Sequence, residues 1–306
     1  MRFLKILILF FSLSVLFQLA TTSANATGNP PCLVNADGEI DVGARDTDGT
    51  VKDDCSIIPA LYEIIIYEAY LCTSEAIIPT ATTAADLSMC TKVFENPDGA
   101  VASVAQDKNI DLVGLYKRPA NGVYTHSYAK IDNTFGLTWA GKLDANMKSS
   151  TSVGNDEGPF CGTVAGSGTF QNGFIHTNSM ICGTSAITPG KFVETMKSFS
   201  NDSDQAVSGL IEDVPGNPGA TIQGIMTDVN GFASTGNADS SRLEATMKNG
   251  KTVIIDKDTR GLAVKFSLVA AMDLKEELGN DRIEASSGPF ISIMTAIQPR
   301  ARGSWR

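Results

Sequence analysis

Between Gly122 and Ile131 the chain alternates strictly. Val123, Thr125, Ser127, Ala129 and Ile131 fall on one face, and Tyr124, His126, Tyr128 and Lys130 on the other, the period of two that a half-buried strand requires. Pro119-Ala120-Asn121-Gly122 supplies a turn before it, and Phe135 to Leu143, around Trp139, continues as a further strand. Tyr62 to Leu71 mixes β-branched and aromatic residues just after Pro59 and reads as a strand ending at Cys72. Leu243 to Lys248, Asn249-Gly250 and Lys251 to Ile255 read as a hairpin, because Asn-Gly accepts the two positive φ values of a type I′ turn. After a turn at Asp256 to Gly261, Leu262, Val264, Phe266 and Leu268 share one strand face, and Phe290 to Ile297 closes the series.

Helical periods are few. Pro189 to Phe199 places Phe192, Met196 and Phe199 at helical spacing behind Thr188, although a strand fits equally well, and Ala84 to Cys90 and Met272 to Leu278 are long enough for one short helical turn each. The pattern therefore predicts an all-β protein, an antiparallel β-sandwich or open barrel with few short helices and disulfide-stapled loops. The Gly/Ser/Thr-rich stretch from 148 to 173 holds the best boundary. It divides the chain softly into β-rich parts at 27–149 and 150–306, and a single domain is the alternative.

The first 26 residues stand apart. Arg2 and Lys5 precede an apolar run from Ile6 to Leu19, and Ala24-Asn25-Ala26 is a small-residue cleavage site, which together predict a secretory signal peptide. No later run approaches the roughly 18 to 20 apolar residues of a membrane helix. Export would place the protein in the periplasm, at the cell surface or in the medium. All six cysteines follow the leader, at 32, 55, 72, 90, 161 and 182. An even count in an exported chain predicts disulfides, and short loops close at least entropic cost, favouring Cys32 to Cys55, Cys72 to Cys90 and Cys161 to Cys182. A zinc site is the rival, but there is no Cys-x-x-Cys pair and His126 and His176 are isolated.

Charge excludes one partner class. With 24 Lys+Arg against 34 Asp+Glu, the formal net charge is −10, which opposes nucleic-acid binding, where basic residues must displace phosphate counterions. Seven acids lie between Asp37 and Asp54. Neither Asn35-Ala36-Asp37-Gly38 nor Asp46-Thr47-Asp48-Gly49 completes a calcium-loop pattern, since the first and last ligand positions fall on non-acidic residues. No cofactor is expected, and the one metal reading left is an irregular calcium site using Asp46, Asp48, Asp53 or Asp54. The plainer reading is a solvated loop tied down by Cys32 and Cys55.

No catalytic constellation stands out. A nucleophilic Ser would need His126 or His176 as base, and Ser167 in Gly166-Ser167-Gly168 lacks the spacing of the nucleophile elbow. Acids are too many for any two to mark a glycosidase; Asp156-Glu157 and Glu276-Glu277 sit in loop-like or charged stretches. The Gly-rich run from Gly162 to Gly173 lacks the Gly-Lys-Ser/Thr ending of a phosphate loop. Tyr124, Tyr128 and Trp139 at strand spacing offer an aromatic platform for a sugar face, with packing beneath a second layer as the plainer alternative. The tail bears Arg300, Arg302, Trp305 and Arg306 on an acidic chain, residue types that anchor interfaces and suit docking on a second copy in a homo-oligomer. The sequence thus reads as an exported, non-enzymatic structural, adhesive or assembly protein whose partners are other subunits or surface glycans. A glycan- or ligand-binding module is the alternative, and a secreted hydrolase a third choice.

Overall fold

The computed structural model describes residues 24–25, 31–41, 54–106, 108, 110–170, 176–199, 208–214, 218–277, 281–288 and 291–297. In chain order the strands are β1 (Ala24–Asn25), β2 (Leu33–Val34), β3 (Ile40–Asp41), β4 (Asp54–Ile57), β5 (Leu61–Cys72), β6 (Cys90–Val104) and β7 (Leu115–Tyr116). There follow β8 (Gly122–Asp132), β9 (Thr134–Thr138), β10 (Ala140–Lys148), β11 (Glu157–Thr163), β12 (Gly166–Phe170), β13 (Met180–Gly183) and β14 (Phe192–Met196). The rest are β15 (Ser208–Ile211), β16 (Thr221–Thr227), β17 (Arg242–Ile255), β18 (Gly261–Ser267), β19 (Met272–Glu277), β20 (Arg282–Ser287) and β21 (Ile291–Ile297). Among the described residues there is no helix, so none that could cross a membrane. The chain is all-β, and the sandwich or open barrel read from the pattern fits it.

The large sheet runs β1-β15-β16-β17-β8-β5-β9-β14-β12, with β6 on the other edge of β5 and β7 beyond it. It curls because β5 changes partner: Ile66 to Cys72 pair with β8, whereas Leu61 to Glu63 pair with β9. A second sheet runs β13-β11-β10-β20-β19-β4, with β3 and β2 joined through β10, and β18 pairs with β21 alone. Residues on either side of Ser150 contribute strands to both large sheets, and Ser150 is itself buried, donating its hydroxyl to the Ile283 carbonyl at 3.0 Å. Of residues 1–26, read from the sequence as a signal peptide, only β1 lies among the described residues. Cleavage after Ala26 would remove β1 and leave β15 at the edge.

Two sequence expectations are corrected here, and one open choice is decided. Asn249-Gly250 makes no hairpin: both arms belong to β17 and pair with the same neighbour, Lys248 facing His126 and Val253 facing Tyr124 across a bulge. Neither residue adopts a positive φ, and the Ser127 hydroxyl donates to Asn249 Oδ1 at 3.1 Å. Met272 to Leu278 forms no helical turn over its described part, because β19 is held between β20 and β4. Pro189 to Phe199 takes the strand alternative as β14, paired antiparallel with β9 and parallel with β12. The expected short helices are thus absent among the described residues, each segment gaining interstrand hydrogen bonds that an isolated turn of helix lacks.

The disulfides join Cys32 to Cys55, Cys72 to Cys90 and Cys161 to Cys182. The second and third link residues directly opposite in β5/β6 and β11/β13. Such bonds fix register as well as shortening the unfolded chain's reach.

Candidate functional site

One residue decides which side chains of β5 face inward. Ile66 pairs with Ile131 and Glu68 with Lys130, so Tyr67 is the extra residue of a bulge, and a bulge reverses the alternation. Before it Tyr62, Ile64 and Ile66 are buried inward; after it Ala69 and Leu71 are. Glu68, Tyr70 and Cys72 then share the outer face with Lys130, Tyr128 and His126 of β8.

On the inner face, register aligns the small residues. Ala69 pairs with Ala129, Ala129 with Ala245, Ala245 with Gly224 and Gly224 with Gly209. Large residues flank this row: Ile66, Ile131, Leu243 and Met226 on one side, and Leu71, Met247, Ile222 and Ile211 on the other, where small Ser127 interrupts them on β8. Side chains stand roughly perpendicular to a sheet, so the row is a trough between two ridges. Ala129 and Ala245 are only half-buried although they lie on central strands. The reason is a cavity of about 730 Å³ above them. Its opposite wall includes Leu262, Val264 and Phe266 of β18 and Met294 of β21, so the shared face read from the sequence of β18 is the one that lines it.

The cavity has a polar stretch near the start of β5, where Tyr62, Asp273, Lys275, Ser286 and Ser287 contribute. Ser56 donates to Asp273 at 2.9 Å. Behind Ser287 the buried Glu194 carboxylate accepts from the Ser287 amide at 3.2 Å and from its hydroxyl. Its other oxygen lies 2.5 Å from His176 Nε2, and both of these side chains are almost fully buried, at 3% and 0% exposure. The carboxylate thus stands between Ser287 and His176, whereas a nucleophilic triad needs the imidazole in the middle. Burial first, and then the charges of Glu194 and Asp273, push the Tyr62 hydroxyl well above its ordinary value, so it stays a hydrogen-bond donor.

The outer face carries a second, smaller hollow of about 270 Å³. There register sets Glu68, Lys130 and Glu244 in one row. Lys130 lies 3.5 Å from Glu68 and 3.8 Å from Glu244. Burial tends to raise Glu68, but hydrogen bonds from Lys92 and Tyr70 and the Lys130 charge outweigh it and hold this carboxyl below its ordinary value. Burial raises Glu244, and the Tyr128 hydroxyl bond and Lys130 offset it only partly. Every one of these groups is paired within the row or beside it, which is the signature of a satisfied structural network.

The aromatic platform is not on the surface. Tyr128 is 0% and Trp139 6% exposed. The disulfide-closed loop between Cys72 and Cys90 folds over the outer face, so Ala76 and Leu87 pack with Tyr70 and Tyr128, and the Tyr124 hydroxyl is bound to the Ala120 carbonyl at 2.9 Å. Trp139 joins the main core, its backbone amide donating to Thr163 Oγ1 at 3.1 Å. The plainer alternative of packing beneath a covering layer describes these rings. His126 lies on the outer face, its Nδ1 2.8 Å from Thr125 Oγ1, and burial lowers its pKa.

Asp46, Asp48 and Asp53 lie outside the described residues, as do Arg300, Arg302, Trp305 and Arg306; Asp54 is placed only as a position on β4 opposite Lys275. Among the described residues no group of three His, Cys, Asp or Glu is arranged to hold a metal ion. Sequence reading missed the cavity and the His176–Glu194–Ser287 cluster. The available signal was the recurrence of Ala and Gly at inward positions of β5, β8, β16 and β17, which becomes visible only once the strands are aligned. No family model matches the chain, and no curated protein and no solved structure is similar to it.

Proposed function

We propose that the protein is an exported, non-catalytic binding protein that carries an apolar small molecule inside its curled sheet. The observation that carries this reading is the cavity of about 730 Å³ walled mainly by Ile, Leu, Phe and Met side chains, with a polar stretch at Tyr62, Asp273, Lys275, Ser286 and Ser287 and with Asp111 and Tyr116 also in its lining. That size and lining match small-molecule sites in general. Three disulfides point to an oxidising compartment outside the cytoplasm, where an apolar molecule in transit needs shelter from water. This takes the ligand-binding alternative of the sequence over the assembly role, because the cavity is an observed feature of the right chemistry.

The test is to purify the mature, oxidised protein without detergent and extract it with organic solvent. Mass spectrometry should find an apolar molecule in the extract, and the thermal midpoint should fall after extraction and recover on adding it back. A protein that carries nothing, and whose midpoint responds to no apolar compound, would overturn the reading.

A further inference from the structure

Resting on that binding role, we infer that the occupant is an amphiphile with one unbranched alkyl chain and a hydrogen-bond-donating head that carries no negative charge. The chain's place is the trough over Ala69, Ala129 and Ala245. Its ridges, Leu243–Met226 on one side and Met247–Ile222 on the other, lie four residues apart along β17 and β16. That is about 13 Å between backbones, and the branched side chains narrow it from both sides. The depression is therefore one side-chain row wide, a slot suited to a single chain rather than to a broad fused-ring plate.

Both ends of the slot are closed by aromatic rings. Phe94 sits opposite Ala69 on β6. At the other end the Phe199 ring covers Gly224 and Gly209, so closely that a Cβ on Gly224 would meet Phe199 Cζ at 2.8 Å. From β6 to β16 there are four interstrand steps, about 19 Å, enough for an extended chain on the order of a dozen carbons once the rings are allowed for.

The head group follows from the polar stretch. Asp273 and Asp111 line the cavity, and buried Glu194 stands directly behind Ser287; Lys275 is the one cation among the lining residues, and it faces Glu284 across β19 and β20. Beside the hydroxyls of Tyr62, Ser286 and Ser287, negative charge therefore outweighs positive, which favours a hydroxyl or ammonium head and opposes a carboxylate or phosphate.

The experiment measures binding of dodecanol, dodecylamine, dodecanoate and cholesterol to the extracted mature protein, by competition with an environment-sensitive apolar dye and by thermal shift. The alcohol and the amine should bind, with the carboxylate weaker by roughly tenfold or more. Ala129→Phe should remove alkyl binding. Because that variant risks misfolding, Ala245→Val serves as a second: it suits a strand and should weaken dodecanol by roughly tenfold while leaving the thermal midpoint of the extracted protein near the parent's. Dodecanoate binding tightest, cholesterol binding in place of the alkyl compounds, or alkyl affinity unchanged in Ala245→Val would each overturn the inference while leaving the carrier role standing. Failure of every probe, with nothing recovered on extraction, would overturn both.

Discussion

The guanidinium of Arg242 lies 3.9 Å from the centre of the Tyr67 ring. The same Arg242 pairs with Asp132 at 3.2 Å, and Asp132 accepts the Tyr67 hydroxyl at 2.8 Å. The three groups hold the bulge that turns Ala69 inward and Glu68 outward, so the floor of the cavity depends on a contact made on the opposite side of the sheet.

Two changes at this position separate the contact from the bulge. Tyr67→Ala keeps the extra residue and loses the cation–π stack and the hydroxyl bond, a destabilisation of about 1 to 2 kcal/mol in urea denaturation. Deleting Tyr67 removes the extra residue, and plain alternation from Ile66 still leaves Glu68 opposite Lys130 and Ala69 opposite Ala129. The deletion variant should therefore keep cooperative unfolding and lose about as much stability as Tyr67→Ala; loss of cooperative unfolding would show that the sheet needs the bulge itself and not only its contacts.

The Cys161–Cys182 bond closes 21 residues of sequence between two buried ends. Replacing both cysteines with Ala should lower stability by about 3 kcal/mol, the chain-entropy figure for a loop of that size. A non-reducing peptide map should show the three local bridges and no other, and a bridge from Cys32 to either Cys161 or Cys182 would contradict the fold.

Glu68 and Glu244 should respond to acid with opposite signs. The folded state lowers Glu68 from its ordinary value of 4.5, so its contribution is present above that pH and fades as acid protonates it below. Glu244 is raised from 4.5, so folding is favoured while it holds its proton and weakened as pH climbs from 4.5 through its higher folded value. Glu68→Gln should therefore lower the thermal midpoint at pH 7 with little effect in strong acid. Glu244→Gln should raise the midpoint at pH 7 relative to the parent, since glutamine still accepts the Tyr128 hydroxyl without a buried charge. Midpoints of both variants across pH 3 to 8 check this, and same-signed changes at pH 7 would refute it.

Glu194 accepts from the Ser287 amide and hydroxyl and lies against His176 inside the core. Glu194→Ala strips those buried groups of their partner at once and should cost about 3 kcal/mol or more. Glu194→Gln keeps an acceptor and should cost less, as read from denaturant midpoints; equal losses would mean that the space filled, rather than the hydrogen bonds, is what matters.

Much of this was written in local pattern. Alternation over Gly122 to Ile131 correctly separates the Ala129 face from the Lys130 face, the spacing of the cysteines matches the bonds formed, and Leu262, Val264 and Phe266 do share a face. These are properties of one strand or one short loop, in which the side-chain period and the entropy of closure act within a few residues. What lay beyond the sequence depends on partners far along the chain. Asn249-Gly250 has the composition of a turn, but β8 offers hydrogen bonds to both arms, and a bulge preserves more of them than a reversal would. Tyr128 looks like a surface ring until the loop closed by Cys72 and Cys90 lies over it. Above all, Ala69, Ala129, Ala245 and Gly224 are unremarkable small residues on four strands, and only interstrand register, fixed by hydrogen bonds across the sheet, lines them up into the floor of a cavity.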